Sequence, residues 1–219
     1  MKKKNHRSLY NSLFMLSAFV LWTVAVRFVD VRAIGPQGSS VGFATVNAFI
    51  HKLTGVHMSL YHITDWFGLV PIFVAVGFAF LGLVQWIKRK KLRRVDYSIF
   101  VLGGFYITVM AVYLLFETVT INYRPVLIGG ILETSYPSST TMLVMCVMPP
   151  AIMQFNSRIK NNGFKKCVNI LIAAFIAFMV IGRLVSGVHW FSDIIGGALL
   201  SSGLVMIYHS VSNVANHKC

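Results

Sequence analysis

The densest chemistry in this 219-residue sequence lies in the stretch GRLVSGVHWFSD, residues 182–193. His189 and Asp193 are four apart, so on a helix they share one face and can touch. A carboxylate beside an imidazole accepts the Nδ1 proton and fixes the tautomer, which leaves Nε2 free as a nucleophile or base. Arg183, six residues before His189, offers a planar fork that suits a phosphate. A second pattern is NYRPVL at 122–127, where Pro125 biases Arg124 away from helical geometry and into a loop. A third is YPSSTT at 136–141, in which Pro137 suits a first helical turn and Ser138, Ser139 and Thr140 supply hydroxyls and free backbone N–H groups. Helix N-termini of this kind bind phosphate through those N–H groups and the macrodipole. Taken singly, a His–Asp pair is more often structural and a serine at a helix start is ordinary capping. Two arginines and a histidine beside them favour anion binding.

The elements that must position these residues are membrane helices. The chain is 56% hydrophobic and only 12% charged, with a mean hydropathy of +0.71, where a soluble domain carries about 25% charged residues. That excludes a disordered chain and argues against a soluble enzyme. The net charge of +14 does not indicate nucleic acid here, because the basic residues sit in short clusters between long apolar runs. Stretches free of Lys, Arg, Asp and Glu cover 8–26, 66–87, 97–116, 134–157, 167–182 and 194–217. Each can hold a helix of the roughly 20 residues that cross a bilayer. The expected fold is therefore all-α, a single integral-membrane domain over 1–219 with six spans near 9–28, 65–87, 97–119, 138–155, 167–186 and 189–208. With both termini cytoplasmic, 15 of the 20 Lys and Arg residues face inside, among them Lys2, Lys3, Lys4, Arg7, the 88–94 cluster and Lys218. That split follows the positive-inside rule. It puts Glu117, Arg124, Glu133, Arg183, His189 and Asp193 at the outer ends of spans three to six. Charged groups at membrane spans are functional candidates by default. The outer segment 31–64 is weakly amphipathic in part and suits the interface. Cys146, Cys167 and Cys219 form neither a disulfide framework nor a metal spacing.

The order R-P, then P-S-x-x, then R-x5-H-x3-D resembles the type-2 phosphatidic acid phosphatase superfamily of integral-membrane lipid phosphate phosphatases. The family's motifs are K-x6-R-P, P-S-G-H and S-R-x5-H-x3-D on a six-helix membrane core. By this resemblance His189 is the phosphate-attacking nucleophile, acting through a phosphohistidine, and Asp193 its orienting partner. Arg124 and Arg183 hold phosphate oxygens with Ser138, Ser139 and Thr140 helping, and no metal or other cofactor is required. Four positions depart from the pattern. Glu117 stands for the lysine, Thr140 for the histidine of the second motif, Ser139 for its glycine, and Gly182 for the serine before Arg183. Glu117 swings the local charge by two units and is expected either to pair with Arg124 or to donate the missing proton. Threonine cannot supply that proton. The partners implied are membrane lipids and a lipid phosphate or polyprenyl diphosphate, with no nucleic acid. The expected activity is phosphatase chemistry at the outer face. The alternatives are a lapsed relative that binds lipid phosphate without turnover, or a lipid phosphotransferase; a transporter is weaker, since no polar partner lies midway along the spans.

Overall fold

The computed structural model describes the backbone of residues 2–215 and the side chains of residues 8–212. Lys218 and Cys219 lie outside the described residues, as do the side chains of Lys2, Lys3, Lys4 and Arg7. The described residues form helices joined by loops, with isolated β-bridges and no strand. In chain order the helices are α1 (Lys2–Phe28), α2 (Ala44–Thr54), α3 (Met58–Phe67), α4 (Leu69–Arg89), α5 (Tyr97–Thr118), α6 (Ser139–Arg158), α7 (Asn162–Val185) and α8 (Phe191–Ala215).

Segments within α1, α3–α4, α5, α7 and α8 are long and apolar enough to cross a membrane. Helix α6, with 20 residues, is less apolar and carries Pro149 and Pro150, yet it has the central place. It packs against α4, α5, α7 and α8, and Met142, Val144, Cys146, Val147, Met148 and Ala151 on it are buried. Around it, large side chains such as Phe14, Phe73, Phe80, Ile107 and Leu171 are exposed, as helices that face lipid require. Helix α8 is the second axis, lying along α1 and touching α2, α5, α6 and α7. Its close approaches use small residues, as membrane helix pairs do: a Cβ on Gly203 would lie 2.7 Å from Leu16 Cδ2 of α1.

Three expected boundaries need correction. The second span was expected at 65–87, but the apolar run of 32 residues from Met58 to Arg89 breaks at Gly68 into α3 and α4. Gly68 ends α3 by donating to the carbonyls of Thr64 and Asp65, both at 3.0 Å. Pro71 then stands in the first turn of α4, where its missing N–H is no loss. The fifth span begins at Asn162, not 167, because the Asn161 side chain caps it by accepting from Phe164 N at 3.0 Å. Lys165 and Lys166 therefore ride on its first turns. The sixth span was expected from 189, but its helix, α8, begins at Phe191, so His189 precedes it in a turn and is not a helical residue.

Candidate active site

The turn between α7 and α8 is built around Gly187, whose φ of +69° is open to glycine and strained for other residues. A Cβ there would fall 1.9 Å from the Gly55 carbonyl oxygen, so the segment joining α2 to α3 can lie directly on the turn. His51 of α2 contacts the Gly187 carbonyl at 3.1 Å and its ring lies 5.4 Å from that of Trp190. Trp190 Nε1 donates to the Tyr123 carbonyl at 2.7 Å. Residues on both sides of His189 are thus clamped by elements distant in sequence.

His189 and Asp193 do come together, although by a different route from a shared helical face. Asp193 folds back over the start of α8 and accepts from Trp190 N at 2.9 Å, leaving its Oδ2 3.8 Å from His189 Nδ1. Ser135 closes that gap. Its hydroxyl donates to Asp193 Oδ2 and lies 3.1 Å from His189 Nδ1. With its proton directed at Asp193 Oδ2, Ser135 Oγ is left to accept from Nδ1–H, which assigns the lone pair to Nε2. Asn122 Nδ2 approaches the other Asp193 oxygen at 3.4 Å, so the fully buried carboxylate has donors on both oxygens, as a buried charge must. His189 lies outside the spans, and burial, helped by the nearby charges of Arg124 and Arg183, pushes its imidazole down to about 4 against the pull of Asp193. Burial thus favours the neutral ring.

Arg124 is placed by the loop between α5 and α6. The bridges Tyr123↔Thr134 and Ile128↔Ile131 fold this loop on itself, with Gly129 and Gly130 at positive φ in the turn. The fold sets Arg124 opposite Glu133: Arg124 N donates to the Glu133 carbonyl at 3.0 Å and Nε pairs with Glu133 Oε2 at 3.0 Å. Arg124 Nη1 reaches His189 Nε2 at 3.4 Å. The expected Glu117–Arg124 pair is thus replaced by Glu133–Arg124, because the bridge pairing aligns those two residues. Glu117, on the last turn of α5, interacts with Tyr113 one turn earlier.

These groups open on a cavity of about 480 Å³ lined by Glu117, Arg124, Glu133, Ser135, Ser139 and His189 together with aromatic rings. Ser138 stands behind its wall. Its N–H donates to the Asp193 carbonyl at 3.1 Å and its hydroxyl caps α6 by accepting from Thr141 N at 3.5 Å. Arg183 is buried, with Nη2 donating to Thr140 Oγ1 and, at 2.8 Å, to Asp65 Oδ1. The Tyr61 ring lies 5.0 Å from the Arg183 guanidinium carbon and 6.0 Å from that of Arg124. A second cavity of about 540 Å³ runs from Asp65, Ser139 and Thr140 along apolar faces of α4, α5 and α6. Sequence reasoning missed Ser135, Asn122, Tyr61 and Asp65. Asp65 carried a usable signal, being one of only six acidic residues and standing at the edge of an apolar run.

Residues 115–216 match the family model of the PAP2 superfamily. Among solved structures, the fold is similar to the crystal structure of a transmembrane PAP2-type phosphatidylglycerolphosphate phosphatase from Bacillus subtilis, with a TM-score of 0.63 and 18% identity over 94% of this chain and 97% of that one. No match is found among the curated proteins.

Proposed function

We propose that this membrane chain, whose segment 115–216 belongs to the PAP2 superfamily, hydrolyses a lipid phosphate or polyprenyl diphosphate through a phosphohistidine at His189. The observation that carries the reading is the placement of the His189 ring between its partners and the cavity. Its Nδ1 is engaged by Ser135 and Asp193, and its Nε2 faces Arg124 in the cavity. In the first step the Nε2 lone pair forms an N–P bond and the P–O bond to the lipid breaks, its electron pair leaving with the oxygen. Water then forms a new P–O bond and the N–P pair returns to Nε2; one water proton stays on the released phosphate, and the other passes to solvent, balancing the proton the departed lipid oxygen takes up. Charge on the transferring phosphoryl oxygens falls to Arg124, Arg183 and the start of α6. There Thr141 N and Met142 N already donate to Ser138, which leaves the N–H groups of Ser139 and Thr140 as open donors.

The apolar cavity below Ser139 and Thr140 supports a substrate with a hydrocarbon tail. The leaving group is the selective feature. Thr140 accepts from Arg183 and cannot protonate an alkoxide, a contribution of about 10²–10⁴-fold in general acid catalysis. A lipid diphosphate instead expels its lipid monophosphate as a stable anion and needs no such help, so the site favours it over an alkyl phosphate unless Glu117 donates the proton.

The test is phosphate release by the purified full chain from diacylglycerol phosphate, polyprenyl phosphate and polyprenyl diphosphate, beside His189→Ala and Glu117→Gln. Release that is lost in His189→Ala, and fastest on the diphosphate, is the expected result. If Glu117 is the acid, Glu117→Gln depresses the monophosphate rates far more than the diphosphate rate; equal loss on both leaves it a structural carboxylate. Binding of lipid phosphate with no release above the His189→Ala level would overturn turnover and establish a binding protein instead.

A further inference from the structure

We propose that Asp65 is a positioning residue of the phosphate site, acting through Arg183; this rests on the reading above and adds to it a part of the chain outside all three sequence motifs. Arg183 is 2% exposed. Its Nη2 is held by Asp65 Oδ1 at 2.8 Å and by Thr140 Oγ1. Its Nε and Nη1 find no acceptor among the described residues, although both are buried. Buried donors without acceptors are uncommon, and on a guanidinium beside a nucleophilic histidine they mark places for ligand oxygens. One nitrogen of the fork is thus anchored to protein and two are reserved.

The anchor is built by one face of α3. Tyr61, Thr64 and Asp65 lie at i, i+3 and i+4 and so point the same way. Tyr61 places its ring 5.0 Å from the Arg183 guanidinium, Thr64 is buried, and Asp65 takes Nη2. The helix can come this close because position 182 lacks a side chain: a Cβ on Gly182 would fall 2.8 Å from Thr64 Cγ2. Gly182 and Thr140, two of the positions that depart from the family pattern, therefore meet on Arg183, and Asp65 completes the set. A carboxylate that merely stood near the site would repel phosphate, so its removal would tighten binding. A carboxylate that orients Arg183 has the opposite sign, since misplacing a binding group by about 1 Å can lower rates about 10²-fold.

The experiment measures inorganic phosphate binding by calorimetry on the purified full chain and on Asp65→Ala, Asp65→Asn, Arg183→Ala and the Asp65→Ala/Arg183→Ala double variant. Thermal melts confirm that each variant is folded. The expected result is about tenfold weaker binding in Asp65→Ala and an intermediate loss in Asp65→Asn, which keeps an acceptor. The double variant should bind no more weakly than Arg183→Ala alone, since Asp65 acts through Arg183. If Asp65→Ala does not fold, Asp65→Asn decides by the same sign. Unchanged or tighter binding in the folded variants, additive losses in the double variant, or no phosphate binding by the wild type overturns the proposal. Normal phosphate binding with this pattern but no lipid phosphate hydrolysis would sink the proposed activity and leave the role of Asp65 standing.

Discussion

The imidazole of His189 reaches its carboxylate through a hydroxyl. Ser135 lies 3.1 Å from Nδ1 and donates to Asp193, while the direct His189–Asp193 contact is 3.8 Å. Removing that hydroxyl leaves the tautomer held only by the long contact. A hydrogen bond to a group that becomes charged contributes about 1.5–3 kcal/mol, which corresponds to roughly 10–100-fold in rate. Ser135→Ala should therefore lower kcat by about that factor with little change in KM, measured on preparations shown by thermal melts to be folded. A loss no greater than twofold would show that Asp193 orients the ring unaided. The histidine, the aspartate and both arginines were legible in the sequence because each belongs to a short local pattern. Ser135 was not: it reaches His189 across 54 positions, and nothing around it distinguishes it from any other loop serine. Asp65 stood out as a rare acidic residue at the edge of an apolar run, but its partner Arg183 lies 118 positions away and spacing could not supply it.

Among the elements, the turn at Gly187 carries the precision of the site. Spacing alone suggested that His189 and Asp193 meet on a helical face; in the structure α8 starts at Phe191 and the pair meets across the helix N-terminus. The i, i+4 arithmetic gave the right neighbours because a capping turn also brings those positions together. Gly187 lets this turn lie on the Gly55 backbone, with φ at +69°. Gly187→Ala should destabilise the protein by about 1–2 kcal/mol from the left-handed backbone alone, and by more from the overlap with Gly55. It should also lower turnover by displacing His189. A thermal melt and kcat measured on the same preparation check both, and a variant that melts and turns over like the wild type would refute the clamp. Five of the six expected spans coincide with described segments long and apolar enough to cross a membrane, because charge-free gaps report apolar length; the fourth, α6, is helical but less apolar. Boundaries moved where local chemistry overrode the gaps, at Gly68, at the Asn161 cap and at the start of α8.

For the whole molecule, the loops α4–α5 and α6–α7 share one end of the bundle, where Arg89 and Arg158 both pair with Asp96, and the cavity with His189 occupies the other. We infer from the positive-inside rule that the basic end is cytoplasmic and the site faces outward. In a variant freed of native cysteines, an impermeant thiol reagent on intact cells should modify Ile131→Cys and spare Lys90→Cys; the reverse pattern would invert the topology. The central claim, that phosphate passes through the protein covalently, has a more direct test. Purified chain mixed with a lipid phosphate or diphosphate labelled in the transferable phosphate, then quenched in base within its turnover time, is digested and mapped. Label on the peptide holding His189, stable to base, lost in acid and missing from His189→Ala, is the predicted result. Phosphate released with no labelled protein at any quench time, or label that persists in His189→Ala, would contradict the account.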